Sequence, residues 1–203
     1  MQLSELEIVR RQSLQQLREL GINPYPAAEF KTTATIDQIV TDFDAYNDKE
    51  VVLAGRIMSR RIMGKASFAE LKDSSGRMQI YINRDEIAPG EDKTIYNTVF
   101  KKLLDMGDII GIKGTVFKTQ VGETSIKVKE LTVLSKSLKP LPIVKTDADG
   151  NVHDAFNDPE ARYRQRYVDL IVNDHVKDTF IKRTKITNSM RQFFNERDYL
   201  EVE

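Results

Sequence analysis

The sequence predicts a fold class that is mainly β with helices, in which five short strands form a small barrel. Segments that alternate between apolar and polar residues predict strands at residues 50–61, 66–72, 77–83, 106–118 and 124–134. The second and third strands flank Asp-Ser-Ser-Gly at residues 73–76, a typical turn sequence. A helical pattern at residues 92–105 separates the third strand from the fourth. Five strands with one helix after the third is the order of an OB-fold barrel.

Two helical segments precede the barrel. The first covers residues 3–20, where Ser4 is the predicted cap and Gly21 the predicted stop. Its predicted apolar stripe consists of Leu6, Val9, Leu14, Leu17 and Leu20. Three arginines lie on the same helix: Arg10, Arg11 and Arg18. They form either a solvated face, balanced by neighbouring glutamates, or a set of contacts to the phosphates of an RNA stem. The second segment covers residues 35–47.

The second and third strands carry the candidate binding surface. Alternation places Ser67, Ala69 and Leu71 on one face of the second strand and Phe68 on the other. In the third strand the same rule places Tyr81 on the polar face, so both rings share a face with charged residues. Residues 51–83 contain six basic and two acidic residues, an excess of four. A cationic sheet face with aromatic rings is typical of a surface that binds unpaired nucleotides.

The composition excludes several classes of protein. Basic and acidic residues number 31 each, so the formal net charge is zero and nucleic-acid affinity must come from local patches. The chain has no cysteine and two distant histidines, His153 and His175, so we expect neither a disulfide framework nor a metal site. No apolar run is long enough for a membrane span, and the first residues do not resemble a signal peptide. We therefore expect a cytoplasmic protein that does not bind membranes.

A second region follows the barrel. Residues 135–152 contain prolines and the turn sequence 147–150, and they predict a linker. Helices are predicted at residues 160–173 and 174–197, and residues 199–203 predict the beginning of a strand. The last helix has a broad apolar stripe with nothing after it in the sequence to cover it. We expect the chain to be the front part of a larger protein.

Several motifs together resemble the amino-terminal part of a class II lysyl-tRNA synthetase of the bacterial type. The most specific is Ala-Arg-Tyr-Arg-Gln-Arg-Tyr-Val-Asp-Leu at residues 161–170. Asn-Pro-Tyr-Pro at residues 23–26 is similar to the family's segment after its first helix, and residues 60–68 are similar to its anticodon-domain strand. Residues 180–203 resemble the class II motif 1, although the family's threonine and proline after the glutamate do not follow here. The resemblance covers essentially the whole chain.

The resemblance implies roles for individual residues. Phe68 matches the phenylalanine that stacks on an anticodon base, and Gln79 matches the glutamine that hydrogen-bonds the central uracil. Glu123 matches the recognition glutamate between the fourth and fifth strands. Arg60 and Arg61 match a basic pair beside the anticodon. From the charges and faces of the strands themselves, additional RNA contacts are expected from Arg56, Lys65, Arg77 and Tyr81, with packing at the groove edge as the alternative for Tyr81. The motif 1 helix implies a dimer interface that contains Phe180, Met190, Phe193 and Phe194. The arginines of residues 162–166 are expected to be structural rather than catalytic.

The predicted domain organisation follows from these matches. We expect an N-terminal helical extension at residues 1–48, an OB-fold anticodon-binding domain at 49–140, a linker at 141–158 and the truncated start of an α+β class II catalytic domain at 159–203. The resemblance implies that the full-length protein is a homodimeric lysine–tRNA ligase, which uses ATP and Mg²⁺ and binds the anticodon stem-loop of lysine tRNA, and not DNA. The motifs that hold ATP, lysine and magnesium are absent from these 203 residues, so the fragment itself is expected to be inactive and to need no cofactor.

Three alternatives remain open from the sequence. The chain could be a free-standing OB-fold module that binds tRNA or single strands, or the corresponding fragment of a synthetase for aspartate or asparagine. A protein-interaction scaffold is the third, and it would show no salt-dependent binding of RNA.

Overall fold

The computed structural model of the chain describes residues 3–142, 145–146, 152–153 and 156–202. The chain divides into two compact units, Met1–Pro140 and Leu141–Glu203.

A closed five-stranded barrel forms the centre of the first unit. Its strands are β1 (Glu50–Met63), β2 (Ala66–Lys72), β3 (Arg77–Asn83), β4 (Ile109–Lys118) and β5 (Thr124–Ser135). Their order around the barrel is β1-β2-β3-β5-β4. Neighbouring strands are antiparallel except for β3 and β5, which are parallel. The predicted OB-fold barrel is confirmed.

The interior of the barrel is filled by one face of each strand. In β2 and β3, alternate residues are fully or almost fully buried, and the residues between them are partly exposed. Ser67, Ala69 and Leu71 point inward and Phe68 points outward, as predicted. Gly114 lies where the register between β4 and β5 shifts. A Cβ atom there would lie 2.3 Å from the carbonyl oxygen of Lys127, so this bulge requires glycine.

A helix with the wide π winding, Ile95–Leu103, closes one side of the barrel within the predicted helical segment 92–105. The backbone N–H of Leu104 donates to the carbonyl of Val99, five residues earlier, at 2.9 Å. Tyr96 and Phe100 are completely buried, with ring centroids 6.0 Å apart. The Tyr96 hydroxyl lies 2.8 Å from the Ser67 hydroxyl, so the inward-facing serine of β2 has a buried partner.

The first helix, α1 (Glu5–Glu19), begins with a capping box in which Ser4 and Glu7 bond each other's backbone N–H groups. The predicted apolar stripe is wrong at three of its five residues, because Leu6 is 61% exposed, Val9 52% and Leu20 44%. Leu17 is fully buried on the face that packs against the barrel.

Arg10 is buried on the same packed face of α1. Its guanidinium donates to the carbonyls of Met106 at 2.9 Å, Ser137 at 3.0 Å and Lys139 at 3.1 Å. Both interpretations of Arg10 from the sequence are therefore wrong, since the side chain faces neither solvent nor a ligand. The guanidinium carries several N–H donors in one rigid plane. Here these donors satisfy carbonyls of loop residues that lie outside the paired strands. Arg11 and Arg18 are exposed, and their role in RNA contact stays a prediction.

Three short helices complete the first unit: α2 (Ile36–Thr41), α3 (Phe43–Tyr46) and α4 (Arg84–Ile87). Asp73, in the turn between β2 and β3, holds α2 in place. One carboxylate oxygen accepts the backbone N–H of Ile36 at 2.9 Å, and the other accepts the N–H groups of Ser75 at 2.6 Å and Gly76 at 2.8 Å. One side chain thus caps a helix and fixes a turn.

These bonds make the stability of the first unit depend on pH. Burial acts to raise the pKa of Asp73, but the hydrogen bonds from Ile36, Ser75 and Gly76 outweigh it, so the pKa lies below its ordinary value. Asp73 therefore contributes stability that is present above the ordinary aspartate pKa and lost as the pH falls below about 4. We expect Asp73→Asn to lower the free energy of unfolding by about 1–3 kcal/mol at neutral pH. Urea unfolding at neutral and acidic pH measures this difference, which should narrow in acid.

Asp44→Asn is the control for this prediction, because Asp44 is exposed on the neighbouring helix. It should change the unfolding free energy little at either pH. An Asp73→Asn effect of the same size at both pH values would contradict the assignment.

The described residues of the second unit form a two-stranded sheet and three helices. β6 (Lys145–Thr146) pairs antiparallel with β7 (Val152–His153). The helices are α5 (Pro159–Arg164), α6 (Arg166–Val172) and α7 (Asp174–Asn195). The helix predicted at 160–173 is thus two helices, divided at Gln165. The first of them begins with Pro159 directly after the cap Asp158. The predicted turn at 147–150 lies outside the described residues.

The predicted strand at the end of the chain is wrong for residues 199–202, which form no regular structure. Residue 203 lies outside the described range. A strand needs a partner for its backbone groups, and the described part of the chain offers none to this segment.

His175, one of the two histidines of the sequence, is exposed on α7.

The motif at residues 161–170 is organised around one buried carboxylate. Asp169, which has no exposed surface, accepts hydrogen bonds from Arg162 Nε at 3.0 Å, Arg166 Nη1 at 2.5 Å and Asn173 Nδ2 at 2.8 Å. Arg162 thus joins α5 to α6 through this acceptor, while Arg166 bonds it from within α6. Their contacts are those of a structural ion-pair cluster.

Candidate nucleic-acid interface

An open groove of about 810 Å³ lies on the outer surface of the barrel. It is lined by outward residues of β1, β2 and β3 and by the loop 119–123 between β4 and β5, and we call it the barrel groove. Four of the predicted anticodon-binding residues line it: Arg61, Phe68, Gln79 and Glu123. Arg77, one of the further predicted contacts, lines it too.

An aromatic cluster lines a second pocket, which shares Phe68 with the barrel groove. Phe68 and Tyr81 are directly opposite each other on β2 and β3, with ring centroids 5.2 Å apart and planes tilted by 53°. Phe117 of β4 meets Tyr81 edge-on at 6.3 Å. Sequence reasoning did not single out Phe117, although it lies in a predicted strand. The tilted rings offer partly exposed aromatic surface on which an unpaired base can stack.

The amide of Gln79 is held by two neighbours. Its Nε2 donates to Glu123 Oε2 at 2.7 Å, and its Oε1 accepts from the Ser125 hydroxyl at 3.0 Å. Gln79 and Ser125 are partners in the parallel pairing of β3 with β5. Sequence reasoning missed Ser125, because a single buried serine in a strand carries no signal of its own. The structure brings together the two predicted polar recognition residues and adds a third.

The loop 119–123 positions Glu123 over the barrel groove. Gly122 has a φ of +86°, and its N–H donates to the carbonyl of Thr119 at 2.9 Å. The Thr119 hydroxyl accepts the N–H of Glu123 at 3.0 Å, and the Thr119 N–H donates to the Glu123 carbonyl at 2.9 Å. A residue other than glycine at position 122 would be strained in this turn. The loop is therefore a closed turn that fixes the glutamate at its end.

A bulge in β1, just before the predicted arginine pair, determines which of the two arginines shares a face with Phe68. The register with β2 shifts between Ile57 and Ser59, after which Arg61 is opposite Phe68 and Arg60 is opposite Ala69. Arg61 is therefore exposed on the same face as Phe68. Arg60 turns away from the barrel groove and donates to the carbonyl of Phe100 at 2.8 Å. Burial lowers the pKa of Arg60 below its ordinary value.

The other residues predicted to contact RNA differ in where they lie relative to the barrel groove. Arg56 donates to the carbonyl of Gly107 at 2.6 Å, and it does not line the barrel groove. Lys65 is exposed in the turn between β1 and β2. Arg77 pairs with Glu70 across β2 and β3 at 3.1 Å. Of the predicted contacts, Arg56 and Arg60 are thus engaged with the barrel itself.

The barrel groove is less cationic than the sequence predicted. The charged residues that line it are Arg61, Arg77, Glu70 and Glu123, which carry two positive and two negative charges. The excess of four basic residues in residues 51–83 does not reach the groove. Arg56 and Arg60 bond barrel carbonyls instead, Lys65 and Lys72 do not line the groove, and Glu123 adds a negative charge to it. The groove therefore offers aromatic and amide groups rather than an excess of positive charge.

The predicted dimer residues lie on α7 and differ in exposure. Met190 is 57% exposed, Phe193 is 51% exposed and Phe194 is 46% exposed, whereas Phe180 is partly buried with the Arg166 guanidinium over its ring at 5.3 Å. Their role in a dimer stays a prediction.

Neither a membrane span nor a metal centre is present in the described ranges. No helix there combines the length and the apolar character needed to cross a bilayer. No three histidine or carboxylate side chains there are grouped to hold a metal ion.

The comparisons with known proteins agree with this geometry. Residues 51–134 match the protein family described as "OB-fold nucleic acid binding domain". Residues 158–203 match the family described as "tRNA synthetases class II (D, K and N)". The chain is 61% identical over 206 residues to a lysine–tRNA ligase of Porphyromonas gingivalis. This alignment covers 100% of the chain and 36% of the ligase. Identity to the lysine–tRNA ligase of Christiangramia forsetii is 61% over 202 residues, 100% of the chain and 35% of that protein.

A third relative, the lysine–tRNA ligase of Azobacteroides pseudotrichonymphae, is 59% identical over 202 residues, 99% of the chain and 40% of the ligase. The chain thus spans about a third of the length of the curated relatives it matches. The resemblance predicted from the sequence motifs is confirmed.

Proposed function

We infer that this chain, which is related over its whole length to the lysine–tRNA ligases, recognises the anticodon of lysine tRNA. The observation that carries the proposal is the placement of the Phe68 ring and the Gln79 amide in one groove of an OB-fold barrel, on adjacent strands. An aromatic ring and an oriented amide are the two groups that the recognition of one unstacked base requires.

The proposed mechanism is binding and positioning, without chemistry. An anticodon base leaves the stack of the tRNA loop and stacks on Phe68, while Gln79 hydrogen-bonds the Watson–Crick edge of the central uracil. Arg61, exposed beside Phe68, contacts the neighbouring phosphate. Because the amide of Gln79 is already held by Glu123 and Ser125, little side-chain freedom is lost on binding.

The role of the larger protein is also a proposal. We propose that a full-length protein containing this chain is a homodimeric, cytoplasmic lysine–tRNA ligase, in which the barrel selects the tRNA and a class II catalytic domain activates lysine with ATP and Mg²⁺. Carboxylates or histidines suited to a metal are not grouped in the described residues. We place no step of that reaction on this chain.

The relatives weigh against the alternatives. The sister synthetases for aspartate and asparagine share the class II description, but the named relatives at 59–61% identity are lysine–tRNA ligases. A free-standing module or a scaffold does not account for the match of residues 158–203 to a synthetase domain. The affinity of the chain for hairpin RNAs with lysine, aspartate and asparagine anticodons tests which tRNA it recognises. A preference for the aspartate or the asparagine anticodon would overturn the proposal.

Phe68→Ala is the direct test of base stacking. We expect the binding free energy of the chain for a hairpin RNA with the lysine anticodon to weaken by about 1–3 kcal/mol, roughly 5- to 150-fold in affinity, because one stacked base is lost. Fluorescence anisotropy at a fixed salt concentration measures the affinity. Circular dichroism checks that the barrel remains folded, which is expected because Phe68 is on the outer face.

The matched control is Phe193→Ala, which removes a half-exposed phenylalanine from α7, outside the barrel. It should leave RNA affinity unchanged. Equal losses for the two variants, or no loss for Phe68→Ala, would contradict the proposed site.

A further inference from the structure

The hydrogen bonds around Gln79 fix which end of its amide faces which neighbour. Glu123 offers a carboxylate, which only accepts hydrogen bonds, so the NH₂ group of Gln79 must face it, at 2.7 Å. The amide oxygen then faces Ser125, whose hydroxyl donates to it at 3.0 Å. With both partners present, the amide has one allowed orientation.

Of the two partners, the glutamate alone sets the polarity. A hydroxyl both donates and accepts, and Ser125 has a second acceptor within reach, the backbone carbonyl of Glu123 at 3.4 Å. Ser125 would therefore accept a reversed amide, in which Nε2 donates to its oxygen. Glu123 would not, because two oxygen acceptors would then face each other.

The fixed amide presents one free N–H and one free oxygen lone pair to the barrel groove, in a set order. Uracil offers an acceptor at O4 next to the donor at N3, whereas cytosine offers a donor at N4 next to the acceptor at N3. An amide that could reverse would pair with either base. An amide held in one orientation pairs with only one of the two bases. With the other base, donor would face donor and acceptor would face acceptor.

We propose that Glu123 is a positioning residue that selects uracil over cytosine by fixing the polarity of the Gln79 amide, while Ser125 holds the amide oxygen in place. This proposal rests on the proposed function, because it concerns the base that Gln79 contacts. It assigns Glu123 an action through Gln79, which a direct contact between the glutamate and RNA does not require.

The test is Glu123→Gln, which keeps the size of the side chain but allows its amide to donate or accept. Two hairpin RNAs that differ only in the central anticodon base, uracil or cytosine, are titrated with the full 203-residue chain. We expect the affinity ratio of uracil to cytosine to fall about 5- to 100-fold, in part because the cytosine hairpin binds more tightly than before. A gain for the wrong base is a result that a structural role of Glu123 does not give.

Two further variants keep the result interpretable. Glu70→Gln removes the same charge from the barrel groove, where Glu70 pairs with Arg77, and it should leave the ratio as it is in the unsubstituted chain. Ser125→Ala should weaken the uracil hairpin without any gain for cytosine, because Glu123 still sets the polarity.

Equal weakening of both hairpins by Glu123→Gln would overturn the proposal, and so would a gain for cytosine in Glu70→Gln. If the unsubstituted chain bound the two hairpins equally, the proposed function itself would fail. The three outcomes are therefore distinguishable in one set of titrations.

Discussion

Replacement of Lys136 by methionine is expected to lower the free energy of unfolding of the barrel unit by about 3–5 kcal/mol. The Lys136 side chain is fully buried, and its Nζ lies 2.9 Å from Asp108 Oδ2 and 2.5 Å from Asp105 Oδ2. Asp108 is also fully buried. Methionine fills the space of the lysine but leaves the Asp108 carboxylate without its buried cation. Denaturation in urea, followed by circular dichroism, measures the loss.

Lys129→Met is the matched control, since Lys129 pairs with Glu50 at 3.1 Å on the surface and is half exposed. Surface pairs contribute about 0–1 kcal/mol, so the control should be nearly as stable as the unsubstituted chain. Adding Asp108→Asn to Lys136→Met removes the orphaned charge and should restore part of the stability. Equal losses for Lys136→Met and Lys129→Met would contradict the role of the buried pair.

Asp169→Ala is expected to destabilise the α5–α6 region by about 3 kcal/mol, because one buried acceptor holds Arg162, Arg166 and Asn173. The loss should appear as faster hydrogen exchange at the backbone amides of residues 159–173. Mass spectrometry of peptides from this region measures it.

Glu160→Ala is the control for this second prediction. It removes the exposed ion pair between Glu160 and Arg164 on the same helix, whose side chains are 71% and 75% exposed. Such a pair contributes about 0.3–0.5 kcal/mol, so exchange should hardly change. Exchange rates unaffected by Asp169→Ala would show that the arginines do not depend on this carboxylate.

Local patterns predicted the barrel well because its strands follow simple alternation. The buried and outward faces of β2 and β3 are those expected from the sequence, and the pairing of Phe68 with Tyr81 follows from them. Glu123 was assigned only through the resemblance to a family. Its bond to Gln79 depends on the parallel pairing of β3 with β5, which no local pattern shows.

The arginines were harder to place, because a charge in the sequence does not say which polar group it meets. Simple alternation from the buried Ile57 would turn Arg60 outward and Arg61 inward, and the bulge before Ser59 reverses both. Arg10 bonds carbonyls more than ninety residues away. Contacts over such distances, like a one-residue bulge, leave no periodic signal.

The parallel pairing of β3 with β5 also determines when during folding the candidate site becomes complete. Phe68 and Tyr81 lie on the hairpin of β2 and β3, which can form early from neighbouring residues. Ser125 meets Gln79 across a separation of 46 residues, so this contact waits for β4 and β5. A chain still emerging from the ribosome would therefore acquire its stacking rings before its oriented amide. In the function we propose, the surface that binds a base thus forms before the group that discriminates between bases, and only the closed barrel has both.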